Sequence, residues 1–229
     1  MNTAIILAAG KGTRMKRDMN KQYLMLKDKP IMAQTIDVFE KCLLIDEIIL
    51  VINENERGFC QRIILEKYKF KKIAKVIGGG DERQRSVYNG LSAINKDTEI
   101  VIIHDGARPL VTSRIIEKCL KGAMAYGAVS AGVPIKETIK IMTKDKFVDY
   151  TPDREDVWIT QTPQAFKTET IRAAHLLAID QKILGTDDAM LVEHMGVKVK
   201  MLEGDYENIK ITTPEDLIAA EAILNYKRK

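Results

Sequence analysis

A glycine-rich turn follows the first apolar run of the chain, residues 4–7 (AIIL). This turn, AAGKGTRM, contains Gly10, Gly12 and Arg14, and a second cation, Lys21, comes seven residues after Arg14. Glycines let backbone amides approach phosphate oxygens closely, and two cations can neutralise the charge that grows on a triphosphate as its P–O bond breaks. The turn therefore predicts a phosphate site. The alternative is a surface turn with solvated cations.

Two common nucleotide-binding patterns do not fit this turn. A dinucleotide fingerprint needs a glycine where Met15 stands, and the phosphate loop of ATPases and GTPases needs Gly-Lys-Ser/Thr after a four-residue spacer. The turn nevertheless lies at the carboxyl end of a predicted strand, which is where open α/β sheets bind ligands.

Two more polar clusters follow predicted strands. The first, GGGDERQRSV over residues 78–87, combines a glycine run with polar side chains and a helix start, as in loops that contact nucleotides. The second, HDGARP, places Asp105 at a strand end, where a carboxylate can hold Mg²⁺ beside phosphate oxygens. A helix cap or an ion pair with Arg108 would also explain Asp105. We interpret His104 as a packing residue at the strand end.

These clusters together carry a family resemblance. LAAGKGTRM with NKQYL resembles the opening of the sugar-phosphate nucleotidyltransferases, and KQY resembles the cytidylyltransferase branch that acts on 2-C-methyl-D-erythritol 4-phosphate. GGxxRxxSVxxGL, HDGARP, TPQAF, TDDA and NIKITTPEDL also resemble segments of that family, so the likeness runs from Ile5 to about Leu217. TPQAF and TDDA could equally be structural loop-to-helix junctions.

The resemblance implies roles for particular residues. Arg14 and Lys21 match its transition-state stabilisers, and Asp105 is the predicted Mg²⁺ ligand. The predicted acceptor-binding residues are Arg154, Lys210, Thr138 and Arg108. The predicted nucleotide-binding residues are Ala8, Ala9, Gly10, Gly12, Gly80, Asp81, Ser86, Asp105 and Gly106.

The apolar runs predict an α/β architecture. Residues 4–7, 47–52, 75–77, 100–103 and 129–133 are short and rich in Ile and Val, as in strands covered on both faces. The amphipathic stretches between them, residues 31–41, 86–94 and 113–126, predict helices that pack on the sheet. We therefore expect one domain over residues 1–229. Its expected fold is a three-layer α/β/α, Rossmann-like nucleotidyltransferase fold with a mostly parallel twisted sheet.

Residues 136–154 interrupt that alternation and predict a projecting β-hairpin, although the turn at residues 144–146 (KDK) lacks the preferred Asn-Gly or Asp-Gly pair. An isolated hairpin is marginal in water, so it must pack against something. The resemblance implies a two-fold homodimer in which this arm places Thr138 and Arg154 in the neighbouring subunit's site.

Composition excludes several other classes. The 36 basic and 32 acidic side chains are spread through the 229 residues, so the net charge of +4 gives no case for a nucleic-acid partner. Cys42, Cys60 and Cys119 are widely spaced, which argues against disulfides and structural zinc and fits a reducing cytoplasm. The first apolar run is too short to span a membrane.

The sequence thus predicts a cytidylyltransferase that joins CTP to a polyol phosphate and releases pyrophosphate. Two alternatives stay open. A ribitol 5-phosphate cytidylyltransferase would share the fold and the CTP chemistry, although HDGARP, TPQAF and ENIKIT favour the methylerythritol substrate. A non-catalytic nucleotide-binding regulator would keep the loops, but the full set of cations argues against it.

Overall fold

The computed structural model describes residues 1–10 and 20–227. The strands within them are β1 (Asn2–Ala8), β2 (Met25–Leu26), β3 (Lys29–Pro30), β4 (Glu47–Ile52), β5 (Ile73–Gly78), β6 (Ile100–Asp105), β7 (Ala128–Pro134), β8 (Ile141–Met142), β9 (Val148–Tyr150), β10 (Trp158–Lys167) and β11 (Lys200–Glu203). The α-helices are α1 (Ile31–Lys41), α2 (Arg57–Cys60), α3 (Glu66–Tyr68), α4 (Arg83–Ala93), α5 (Ser113–Tyr126), α6 (Thr168–Asp180), α7 (Asp188–His194) and α8 (Pro214–Lys227). A π-helical segment (Gln61–Leu65) joins α2 to α3, and short 3₁₀ turns occupy Lys21–Tyr23, Glu54–Glu56 and Arg154–Asp156.

A seven-stranded sheet in the order β11-β7-β10-β6-β1-β4-β5 forms the centre of the fold. Its neighbouring strands pair in parallel except around β10, which is antiparallel to both β6 and β7. The chain moves from β1 outward to β4 and β5 and then returns to β6 on the other side of β1. The strand order therefore reverses between β1 and β6, which is the position where open α/β sheets form a ligand crevice.

Alternate residues of the central strands pack into two cores on opposite faces of the sheet. Ile6 packs with Phe39 of α1 and Leu120 of α5 on one face, whereas Ile5 packs with Leu91 of α4 and with α6 on the other. All six residues of β6 are buried, so its continuous apolar run reflects helix layers on both faces. These layers confirm the predicted α/β/α architecture with a mostly parallel sheet.

The predicted strands and helices fall close to where the patterns placed them. The five predicted strand segments lie within β1, β4, β5, β6 and β7, and helices 31–41 and 113–126 are α1 and α5. Helix 86–94 begins three residues earlier, at Arg83, as α4. The sequence did not indicate β10 or β11, and TPQAF lies inside the buried part of β10, not at a loop-to-helix junction.

The predicted hairpin is present as the antiparallel pair of β8 and β9. Its turn places Lys146 in the left-handed region at φ 66°, so the missing glycine does not prevent the hairpin. Five large apolar side chains of this hairpin, including its connecting turn, are exposed in the single chain: Ile141, Met142, Phe147, Val148 and Tyr150. The arm therefore carries an apolar surface that the rest of its own chain does not cover.

Two predictions from composition can be compared with this fold. Cys42, Cys60 and Cys119 are buried free thiols. Within residues 1–10 and 20–227, none of the helices combines the length and the apolar character that crossing a membrane requires.

Candidate active site

A cleft of about 780 Å³ lies at the edge of the sheet where β1, β4, β5 and β6 end. The strand register brings these ends together, because Ala8 pairs with Ile52, Ile52 with Gly78 and Leu7 with Asp105. Eight of the residues predicted to form the site line this cleft: Ala9, Gly10, Lys21, Gly80, Asp81, Ser86, Asp105 and Lys210.

Two side-chain amides hold the loop after β1. Gln22 Nε2 donates to the carbonyl oxygens of Ala8 at 2.7 Å and Gly10 at 3.0 Å, and Asn20 Nδ2 donates to Gly10 at 2.7 Å. The chain after residue 19 therefore returns to the end of the strand it left. Gly12 and Arg14, both predicted to contact the nucleotide, lie outside the described residues.

Lys21 lies in the 3₁₀ turn Lys21–Tyr23 and is largely buried. Its Nζ donates to the carbonyl oxygen of Ile211 at 2.9 Å, which links the start of the chain to the loop after β11. That loop also carries Lys210 into the cleft. Two lysines from distant parts of the sequence thus line one cleft, where they can neutralise anionic groups.

The glycine run after β5 packs directly on the loop after β1. A Cβ atom on Gly79 would collide with the Ala9 Cβ, so a larger residue would push the two loops apart. The Gly79 N–H donates to the Ile52 carbonyl at 2.7 Å, and the Gly80 N–H donates to Ser86 Oγ at 3.1 Å. Close packing and these bonds fix one wall of the cleft, with main-chain groups close to where a ligand would lie.

Asp105 is surrounded by cations at the carboxyl end of β6. Lys210 Nζ lies 2.6 Å from its Oδ2, Arg83 Nε lies 3.4 Å from Oδ1, and Arg108 Nε lies 3.9 Å from Oδ2. Burial alone would raise the pKa of Asp105, but the charges of Arg83 and Lys210 outweigh it and hold this pKa well below its ordinary range. Asp105 is therefore ionised throughout the physiological pH range.

A second carboxylate lies behind Arg83. Asp188, at the start of α7, places Oδ2 2.8 Å from Arg83 Nη1 and Oδ1 3.0 Å from His175 Nε2. Burial alone would lower the pKa of Arg83, but Asp188 and Asp105 raise it well above its ordinary value. Asp188 belongs to the TDDA segment, so that segment lies beneath the cleft as part of its support.

Sequence reasoning assigned no role to Arg83, Gln22 or His175. A signal existed for Arg83, which is the cation next to the glycine run and at the first position of a helix. Gln22 is part of the NKQYL segment, which was quoted for the family resemblance, although no role was assigned to this residue. Nothing local marked His175, which lies within the amphipathic helix α6.

Three predicted residues support the cleft without lining it. Ala8 is buried beneath the loop, and the Gly106 N–H donates to the Leu7 carbonyl at 2.8 Å. Arg108 Nη1 donates to the Asn208 carbonyl at 2.7 Å, in the loop that carries Lys210. In the single chain these contacts hold strand ends and a loop in place.

The arm residues lie away from the cleft. Thr138 and Arg154 line a separate depression of about 390 Å³ at the base of the arm. Arg154 is exposed, and its Nη1 is 3.4 Å from the carbonyl oxygen of Lys136, its acceptor. The fold of one chain therefore does not bring these residues to Asp105 and Lys210.

Known proteins resemble this chain over nearly its whole length. The family model described as "IspD: 2-C-methyl-D-erythritol 4-phosphate cytidylyltransferase" matches residues 2–226. The 2-C-methyl-D-erythritol 4-phosphate cytidylyltransferase of Caldanaerobacter subterraneus subsp. tengcongensis is 52% identical over 222 residues, covering 97% of this chain and 98% of the relative. The enzyme of that name from Clostridium acetobutylicum is 52% identical over 224 residues, with 98% and 97% covered.

Solved structures agree. The 4-diphosphocytidyl-2C-methyl-D-erythritol synthase of Anaerococcus prevotii superposes with a TM-score of 0.88 at 37% identity, covering 98% of this chain and 96% of that one. The 2-C-methyl-D-erythritol 4-phosphate cytidylyltransferase of Francisella tularensis gives 0.81 at 31% identity, covering 96% and 98%.

The α/β/α fold and a cleft built from two glycine-rich loops, with lysines at its floor, define a nucleotidyltransferase. Because the family model and relatives above 30% identity span almost the whole chain, the protein belongs to the IspD family of 2-C-methyl-D-erythritol 4-phosphate cytidylyltransferases.

Proposed function

We propose that this chain transfers CMP from CTP to 2-C-methyl-D-erythritol 4-phosphate, giving 4-diphosphocytidyl-2-C-methyl-D-erythritol and pyrophosphate for non-mevalonate isoprenoid synthesis. The observation that carries this proposal is the convergence of the two glycine-rich loops, Lys21 and Lys210 on one cleft. Main-chain groups that can approach phosphates are thereby combined with cations that can balance two anionic reactants.

Positioning and charge neutralisation account for the reaction. An acceptor phosphate oxygen attacks the α-phosphorus of CTP in line, the bond to the β-phosphate oxygen breaks, and pyrophosphate leaves. Lys21 and Arg14 stabilise the charge that passes to pyrophosphate, and Lys210 holds the acceptor. The attacking oxygen is already deprotonated near neutral pH, so no general base is needed. Holding two anions in line supplies much of the acceleration.

The nucleoside would lie along the wall formed by Gly80, Asp81 and Ser86. Cytosine carries an exocyclic amine, which uracil lacks. This amine can donate a hydrogen bond to a backbone carbonyl oxygen. The loop that begins at Ala9 and Gly10 would face the phosphates. The packing of Gly79 on Ala9 keeps this wall and this loop together, so base recognition and phosphate binding share one rigid corner.

Mg²⁺ is the proposed cofactor, with Asp105 as its protein ligand. The described residues contain no group of three or more His, Cys, Asp or Glu side chains that could hold a metal. One carboxylate fits Mg²⁺, which keeps several waters and binds mainly to nucleotide phosphates. Because three cations already face Asp105, the ion should bind only with the triphosphate, whose charge it would help to neutralise.

The active unit is proposed to be a cytoplasmic homodimer, each chain forming one nucleotidyltransferase domain over residues 1–229. The arm at residues 136–154 exposes apolar side chains, for example Phe147 with 74% of its surface accessible. Exposed apolar surface of this kind marks an interaction site. Packing of the arm on a second subunit would bury these side chains and carry Thr138 and Arg154 toward that subunit's acceptor site.

A pyrophosphate-release assay with CTP tests the activity. We expect turnover with 2-C-methyl-D-erythritol 4-phosphate and little with ribitol 5-phosphate. A preference for ribitol 5-phosphate would mean that this polyol phosphate is the acceptor and that the CTP chemistry is unchanged. Nucleotide binding without turnover of either acceptor would support the regulator alternative.

A further inference from the structure

A chain of charged and polar side chains runs from the interior of the protein to the floor of the cleft. It begins at His175, passes through Asp188, Arg83 and Asp105, and ends at Lys210, with successive contacts of 3.0, 2.8, 3.4 and 2.6 Å. Arg83, Asp105 and Lys210 line the cleft. Asp188 and His175 lie behind them, with 1% and 0% of their surfaces exposed.

We propose that Asp188 and His175 are positioning residues that fix Arg83, and through it keep Asp105 paired with Lys210 in the acceptor half of the cleft. The proposal rests on the proposed function, because it assigns Lys210 to the acceptor phosphate. Neither Asp188 nor His175 touches a substrate in this scheme.

Arg83 depends on two carboxylates for its position. Its guanidinium lies between Asp188 and Asp105, and within the described part of the chain its Nη2 is buried without a hydrogen-bond partner. A planar guanidinium with donors on both sides is suited to bridging two such groups. Neutralising Asp188 would leave Asp105 as the only charged partner of Arg83 among the described residues, and Arg83 would then compete with Lys210 for that carboxylate.

His175 fixes the orientation of Asp188. An ionised carboxylate only accepts hydrogen bonds, so Nε2 of His175 is the donor to Oδ1. Oδ2 is thereby left facing Arg83. The main-chain amides of Asp188 and Ala189 donate to Gln164 Oε1, both at 3.2 Å, so the start of α7 is anchored independently of its carboxylate. The charge of Asp188 can thus be removed while the backbone stays in place.

The nucleoside-reading wall has its own supports. The hydrogen bonds from the Gly79 N–H to Ile52 and from the Gly80 N–H to Ser86 involve none of the five residues that link His175 to Lys210. A defect in the positioning pair, Asp188 and His175, should therefore weaken binding of the acceptor far more than binding of CTP. A general loss of stability would instead reduce the active fraction without changing either KM.

The test compares Asp188→Asn with the wild type. Misplacement of a binding group by about 1 Å can cost up to about a hundredfold, so we expect KM for the acceptor to rise by about tenfold or more. The dissociation constant for CTP, measured by titration calorimetry without acceptor, should stay near the wild-type value. His175→Leu should act in the same direction, whereas His175→Gln, which keeps a donor near Nε2, should recover most of the acceptor affinity.

A second readout does not depend on turnover. Acetic anhydride labelling followed by mass spectrometry reports how accessible the Lys210 amine is. Labelling of Lys210 should become several-fold faster in Asp188→Asn and in His175→Leu, because the lysine has lost its partner. This readout keeps its meaning even if the wild type does not use the proposed acceptor.

Ala178→Gly is the matched control, since it weakens the same helix, α6, at a buried site outside the chain of contacts. It should lower the melting temperature but leave acceptor KM and Lys210 labelling unchanged. The proposal is overturned if Asp188→Asn and His175→Leu behave like this control. It is also overturned if His175→Gln is as defective as His175→Leu although both fold.

Discussion

Lys210 Nζ lies 2.6 Å from Oδ2 of Asp105, although the two residues are far apart in the sequence. Asp105 ends a central strand, and Lys210 arrives on a loop after the edge strand β11. Lys21 bonds the carbonyl oxygen of Ile211, the residue after Lys210. The three side chains therefore form one charged floor of the cleft.

Lys21→Ala should lower kcat by about a hundredfold or more, because loss of one preorganised donor to the transition state commonly costs that much. The measurement is pyrophosphate release at saturating CTP and acceptor. Lys121→Ala is the control, since Lys121 is an exposed lysine of α5 that does not line the cleft. A kcat within a few-fold of wild type for Lys21→Ala, with an unchanged melting temperature, would remove Lys21 from catalysis.

Mixing Arg154→Ala with Lys21→Ala subunits should restore activity if the arm completes a partner's site. In a mixed dimer, one site combines an intact Lys21 with an intact Arg154, so full exchange should return about a quarter of all sites. The control mixes Lys210→Ala with Lys21→Ala. Both lesions then affect the cleft of their own chain, and no intact site forms. Equal recovery in the two mixtures, or full activity of a monomer in sedimentation, would contradict the shared site.

Mg²⁺ should not bind measurably to the protein without CTP, because Arg83, Arg108 and Lys210 already surround Asp105. With CTP present, Asp105→Asn should shift the Mg²⁺ activation curve to higher concentration, since a neutral amide is a weaker ligand. Calorimetry and initial rates at varied Mg²⁺ give the two curves. An identical activation curve in Asp105→Asn would exclude this carboxylate as a ligand.

The free energy of unfolding should fall as the pH drops from 7 to 5, because His104 is buried. Burial lowers the pKa of this imidazole to about 4, below the ordinary value of about 6.5 that it regains on unfolding. As the pH drops, the imidazole therefore takes up a proton in the unfolded chain before it does so in the folded one. This difference lowers the free energy of unfolding by about 2 kcal/mol at pH 5. Urea unfolding at a series of pH values measures it.

His104→Gln should flatten this pH dependence, whatever it does to stability at pH 7. His194→Gln is the matched control, because His194 lies at the surface beside Gln181, and it should keep the wild-type slope. An unchanged slope in His104→Gln would mean that another group carries the acid sensitivity.

Much of this site could be predicted from local sequence. The loops after β1, β5 and β6 each follow a short Ile- and Val-rich run, and parallel strands present their carboxyl ends at one edge. That rule alone brings Gly10, Gly80 and Asp105 together. His104 was correctly interpreted as a packing residue, since it is fully buried with its ring centroid 5.0 Å from that of Phe39.

Other parts of the site could not be predicted in this way. β10 was missed because its buried stretch QTPQAF contains a proline and polar residues, although Gln164 is satisfied there by Ser130 and Asp187. His175 gave no signal, since a histidine on an amphipathic helix is compatible with many environments. The separation of Arg154 from the cleft of its own chain was implied by the family resemblance, whereas sequence spacing by itself does not show which chain an arm packs against.

The sequence by itself determined five of the seven strands of the main sheet, helices α1, α4 and α5, the arm and the polar loops after β1, β5 and β6, because backbone conformation and periodic burial are local properties of neighbouring residues. Only the tertiary structure decided that β10 runs antiparallel between β6 and β7. It also decided that Lys210 pairs with Asp105 and that Asp188 lies behind Arg83. Such contacts join residues that are distant along the chain. The energy of an ion pair depends on its burial and on the distance between the charges, and both are fixed only when strand order and loop paths are set.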